Sequence, residues 1–248
     1  MIRLFALGAL TLLLSLNVAT QAFAAAYLDT SHVLGTVTYT NIADLNGLFQ
    51  QPTQNVNTLS FSPNAFQTEC SNGACGGIAS VSDTVVFRVD ANAGNFIDEI
   101  VLSESGDTNL SQLFGSPTGI TTVTADVFVD ILEVNGSPVG GMSTSAAMVF
   151  TSAGDYTLAD EGDGFHGWSG SLSVDLDAII AAASGQGQAT LIEVSIANTL
   201  TATSTTGAVV SIEKKDVSGL SITVIPEPGT ALLMGLGLAA LAAGRRQD

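Results

Sequence analysis

Positive charge is scarce in this sequence. Six lysines and arginines stand against 23 aspartates and glutamates in 248 residues, giving a formal net charge of −17. Arg3, Arg245 and Arg246 lie at the extreme ends, so Arg88, Lys214 and Lys215 are the only cations between them. A field of that sign repels phosphate backbones and anionic lipid surfaces, which argues against a nucleic-acid partner. It leaves cations and basic partners compatible, and it also serves simply to keep a chain soluble.

Histidine, cysteine and tryptophan are almost absent. His32 and His166 are the two histidines, and neither stands in a triad, zinc or phosphate-loop signature. Gly167-Trp168-Ser169-Gly170 shares residues with a nucleophile elbow, but its spacing is wrong for one. The two cysteines, Cys70 and Cys75, have no second pair and no nearby histidine to complete a metal set. Charged residues make up 12% of the chain and hydrophobic ones 46%, so an ordinary disordered chain is excluded and a core is expected.

The first 26 residues have three parts: a basic start at Arg3, an apolar run over 4–16, and small residues ending in Ala22-Phe23-Ala24-Ala25-Ala26. This is the pattern of a secretory signal peptide, with cleavage by signal peptidase expected after Ala24 or Ala26. At the other end, Pro226-Glu227-Pro228 precedes an apolar run over 229–244 and then Arg245-Arg246. Two prolines around one residue fix φ and remove two backbone donors, so this stretch continues neither a strand ladder nor a helix. As a helix, an apolar run of about 16 residues reaches roughly 24 Å, slightly short of a ~30 Å hydrocarbon core. Arg245 and Arg246 resist crossing and stay cytoplasmic, which places the rest of the chain outside.

In this order and position, these residues resemble the C-terminal sorting signal of PEP-CTERM proteins over 224–248. The resemblance implies a Gram-negative source, a transmembrane sorting helix, and recognition of Pro226, Glu227 and Pro228 by an exosortase. It further implies cleavage near that motif and transfer to an envelope acceptor, with Arg245 and Arg246 as the stop. The expected route is an inner-membrane intermediate, then the cell surface, outer membrane or extracellular matrix.

Between the signals, 27–223 reads as one β-rich domain. Short apolar or β-branched runs fall at 33–39, 85–89, 97–102, 121–134, 146–151, 171–176, 189–197, 209–212 and 220–224. In 121–134, Val123, Ala125, Val127, Val129 and Ile131 share one face, while Phe128 and Leu132 interrupt the polar one. Asn135-Gly136 is suited to a two-residue type I′ turn. Asp177 is placed to cap a short helix over 178–183, and 50–64 reads as a long polar loop. This pattern predicts an all-β, antiparallel β-sandwich or jelly-roll-like domain with one short helix.

Four candidate sites follow. Export makes a Cys70–Cys75 disulfide the expected fate of the cysteines. Asp155, Asp160, Glu161 and Asp163, interleaved with glycines, offer hard oxygen ligands suited to calcium, or else form a solvated acidic turn; no other cofactor is implied. Trp168, flanked by glycines in what reads as a turn, serves either as a platform for a sugar ring or as core or lid packing. The sorting signal is the fourth. The expected function is a non-enzymatic surface or exopolysaccharide-matrix protein, with a carbohydrate- or calcium-binding adhesion module as the alternative. A secreted glycan-active enzyme ranks third.

Overall fold

Alternation becomes strand wherever one face can be covered. The computed structural model describes residues 25–215 and 220–226. Its first elements are β1 (Ala25–Ala26), β2 (Thr30–Ser31) and β3 (Val37–Asp44), followed by β4 (Thr53–Asn55), β5 (Thr58–Phe61) and β6 (Gln67–Ser71). Three long strands come next: β7 (Ala79–Ala91), β8 (Glu99–Gln112) and β9 (Gly119–Val134). The chain then makes β10 (Ser137–Pro138), β11 (Ser143–Ala147), β12 (Val149–Phe150), a 3₁₀ turn (Thr151–Gly154), β13 (Asp155–Thr157) and α1 (Leu158–Glu161). It closes with β14 (Gly164–Asp175), α2 (Leu176–Ala182), β15 (Ala189–Ser204), β16 (Ala208–Lys214) and β17 (Leu220–Ile225).

The strands form two antiparallel sheets. One runs β1-β3-β7-β15-β9-β10, with β11 and β13 also on β9 and β2 on β3. The other runs β12-β14-β8-β17-β5-β4, with β16 on β8 and β6 on β16. The architecture is thus the expected β-sandwich. Its interior is apolar from both sides: Val85, Phe87 and Val89 from β7 and Val194, Ile196 and Leu200 from β15 meet Ile100, Leu102 and Leu110 of β8. Each such side chain stabilises the fold by roughly 1.5–3 kcal/mol on burial. Phe49, Phe61 and Phe66 fill one side, with Phe49 edge-to-face on the other two at 5.6 and 5.4 Å between ring centres.

Several local expectations hold and several need correcting. Asn135 and Gly136 have φ of 50° and 73°, the left-handed pair that a type I′ turn requires, and Ser137 and Pro138 return against Val134 and Glu133. Val123 to Ile131 do share the buried face of β9, while Phe128 is half-exposed on the other. Residues 50–64 are not a bare loop: β4 and β5 form a hairpin there, because the polar side chains of 53–55 sit on an edge strand and Leu59 and Phe61 are buried. The expected helix, α2, is capped two residues earlier than expected. Asp175, not Asp177, accepts the Ala178 N–H at 2.9 Å, and Leu176 is the first helical residue. There is also a second helix, α1, capped by Thr157. Finally, 167–170 are not a turn but the middle of β14, paired with Asp107 to Glu104 of β8.

Candidate functional site

The sorting junction begins inside the sheet. In β17, Leu220, Ile222 and Val224 are buried, and the strand lies between β8 and β5. The Val224 N–H donates to the Asn57 carbonyl at 3.0 Å, the Ile225 carbonyl accepts from Asp98 N–H at 3.1 Å, and the Thr58 and Thr223 hydroxyls meet at 2.9 Å. Pro226 follows at once, and with no N–H it cannot extend the ladder. The fold thus presents the start of the motif at its own edge without a linker. Glu227, Pro228, Arg245 and Arg246 lie outside the described residues. No helix among the described residues is long and apolar enough to cross a membrane.

At the opposite terminus, residues 1–24 of the expected signal peptide, 1–26, are likewise outside the described residues. Ala25 and Ala26 already belong to the first sheet, opposite Asp44 and Ala43.

The cysteines are joined: Cys70 in β6 and Cys75 in the turn beyond it form a disulfide. The acidic candidates do not converge. Asp155 accepts from the Thr122 hydroxyl, Asp160 sits on the Thr157 cap, Glu161 accepts from Ser152, and Asp163 accepts the Gln112 N–H. Each carboxylate is held by a different part of the chain, and among the described residues no three histidine, cysteine, aspartate or glutamate side chains gather to hold a metal. The solvated-turn account therefore replaces the calcium site. His166 contacts the Gly162 carbonyl and His32 accepts from the Leu34 N–H, each a local turn contact.

Trp168 is a core residue, which removes it as a sugar platform: only 2% of it is exposed, and it packs edge-to-face on Phe150 at 6.0 Å. Its partner across the ladder is Gly106, and a Cβ there would lie 2.1 Å from the indole ring, so only glycine lets the ring lie over β8. On the other side of Gly106 is Lys214.

Lys214 was not singled out by the sequence, yet it is the most unusual group in the domain. Its side chain is fully buried, as is that of Glu104, whose Oε2 lies 2.7 Å from Nζ. The rings of Phe66, Trp168 and Phe49 surround Nζ at 5.6, 5.6 and 5.9 Å. The 2.7 Å contact is close but poorly aligned as a hydrogen bond, and Glu104 Oε1 and Trp168 Nε1 have no partner at all. Burial pushes the lysine amine below its ordinary value, and the carboxylate opposes that shift. The clue lay in the alternation of β16: Lys214 is in phase with the buried Val210 and Ile212.

The outer face of β9 carries a different feature. Phe128, 48% exposed, lines a groove of about 430 Å³ with Asp130, Ser143, Thr144 and Ser145 of β9 and β11.

Among solved structures the chain is similar to TmCBM61 in complex with beta-1,4-galactotriose, at 10% identity over 76% of this chain and 87% of that one, with a TM-score of 0.21. It is also similar to the xylan-binding module CBM15, at 12% identity over 67% and 95%, with a TM-score of 0.22. The enzymatically active domain of Bacteriophage CBA120 tailspike protein 4 matches at 13% identity over 79% and 19%, with a TM-score of 0.19. Scores this low carry neither fold nor function across. No curated protein matches the sequence. The C-terminal segment is decided by its own family: residues 224–247 are a PEP-CTERM protein-sorting motif.

Proposed function

We propose that this chain is an exported, non-enzymatic protein of the cell surface or exopolysaccharide matrix, whose β-sandwich is delivered and cut by an exosortase at Pro226-Glu227-Pro228. The observation that carries this reading is the sorting motif starting within β17, so that the domain ends where the signal begins. A signal peptidase removes the leader, the apolar run over 229–244 holds the chain in the inner membrane, and Arg245-Arg246 stay on the cytoplasmic side. After cutting, the acidic sandwich leaves the membrane intact because β17 stays in its ladder. Replacing Pro226, Glu227 and Pro228 with alanine tests this. An uncut inner-membrane form should accumulate with export unimpaired, whereas unchanged processing would overturn the reading.

One observation favours a second reading, polysaccharide binding. The half-exposed Phe128 ring lies beside Asp130 and three hydroxyl side chains, a stacking face with hydrogen-bonding groups around it. Phe128→Ala should abolish retention on a matching polysaccharide while leaving the melting temperature nearly unchanged. Equal retention by the variant would exclude the groove.

A further inference from the structure

Three buried side chains of complementary chemistry point into the space between the sheets. Lys214 and Glu104 come from the second sheet, and Asn198, 1% exposed, comes from β15 of the first, between Asp83 and Ala125. Neither the Oδ1 nor the Nδ2 of Asn198 has a hydrogen-bond partner. An unsatisfied buried carboxamide costs roughly 1–3 kcal/mol, so its retention asks for a reason.

The register places it against the ion pair. Strands β15 and β16 are joined by the tight turn 205–207 and lie in facing sheets. Going away from that turn, the buried residues are Ser204, Ala202, Leu200 and Asn198 on one strand, and Ala208, Val210, Ile212 and Lys214 on the other. Asn198 and Lys214 occupy the same, fourth inward position. The neighbouring strands put Glu104 at the level of Asn198 and Lys214, paired with Gly106, one inward step nearer the turn, within reach of a long side chain. The Thr108 and Thr121 hydroxyls meet at 2.7 Å across the sandwich and set β8 over β9; two inward steps further come Glu104 and Ala125, the strand partner of Asn198.

We propose that Lys214 and Asn198 become joined by an intramolecular isopeptide bond, with Glu104 as the proton carrier, which locks the two sheets together. The apolar, aromatic surroundings favour the neutral forms of the ion pair, so the Lys214 proton passes to Glu104 and leaves Nζ a free amine. Nζ attacks Cγ of Asn198, forming the new C–N bond as Glu104 polarises the carboxamide oxygen. The surplus proton on Nζ is relayed through Glu104 to the departing nitrogen, the old C–N bond breaks, and ammonia leaves. Glu104 remains protonated and donates to the new amide carbonyl. One C–N bond replaces another, nothing is oxidised or reduced, and no co-reactant enters. Elimination of the lysine charge also removes the cost of a buried ion pair whose remaining carboxylate oxygen, Glu104 Oε1, has no hydrogen-bond partner.

Mass spectrometry of the exported protein decides the matter. The expected result is a chain lighter by one ammonia than its disulfide-bonded sequence, and a tryptic digest containing one branched peptide that unites Asn198 with Lys214. Protein recovered unfolded should carry its whole mass and lose ammonia after refolding. Glu104→Gln should keep the ammonia if it folds. Because the unaltered protein is itself the principal sample, misfolding of a variant does not blunt the test. An unshifted mass in the folded protein, with trypsin cutting freely after Lys214, would overturn the proposal and leave a buried ion pair beside a hydrated asparagine.

Discussion

Asp98 donates its backbone N–H to the carbonyl of Ile225, while its own carbonyl accepts from Leu176 N–H at 2.9 Å. One residue thereby ties the end of β17 to the start of α2, at the point where the sorting motif leaves the sheet. A chain ending at Pro226 should melt as the longer chain does. A chain ending at residue 219 loses the burial of Leu220, Ile222 and Val224, each worth roughly 1.5–3 kcal/mol, out of a total that is typically 5–15 kcal/mol. Thermal melts of the two should show a cooperative transition in the first and none in the second.

The first residue of the processed chain should be Ala25. Cutting after Ala24 preserves β1, the Tyr27 N–H bond to the Ile42 carbonyl and the Tyr27 hydroxyl bond to Asp44; cutting after Ala26 removes the strand. Amino-terminal sequencing that begins at Tyr27 would contradict this.

Cys70 and Cys75 should resist alkylation until reduced, since Cys70 is buried beside Ser204 and bridged within its own turn. The short loop limits the gain. Replacing both with serine should cost about 2 kcal/mol by loop entropy, read as a lower urea midpoint with an unchanged slope.

Asp177 should lower stability at neutral pH. Partial burial, with the like charges of Asp98 and Asp175, raises its carboxyl above the ordinary carboxylate value. A raised acid binds its proton more tightly in the folded state, so its penalty is present above the folded value and fades as pH falls through that value toward the unfolded one. Asp177→Asn should therefore melt higher than the unaltered protein at pH 7, with the gap closing on acidification. A gap that widens toward low pH would contradict the sign.

The legible parts of this molecule were those in which one strand carries its own message. The alternation from Val123 to Ile131 has one buried face and one wet face, and Asn135-Gly136 states its turn in two residues. The β4–β5 hairpin was hidden because Thr53, Gln54 and Asn55 look like loop residues, and only pairing with 58–60 makes them strand. Trp168 was misplaced in a turn because glycines flank it, although it shares the even-numbered phase of Val174, which is also buried. The Lys214–Glu104 pair was illegible for a different reason: its partners are far apart in sequence, and Lys215 beside it is an ordinary surface lysine. The acidic cluster shows the reverse relation: close spacing in sequence does not bring its carboxylates together in space.

The central claim is that this sandwich is released from the membrane at its own C-terminal edge. Peptide mapping of the C-terminus of the surface or matrix form tests it most directly. The account predicts a last peptide that includes Ile225, ends near Pro226-Glu227-Pro228 and lacks the apolar run. Recovery of mature surface protein still carrying residues 232–246 would contradict it and make the segment a simple tail anchor.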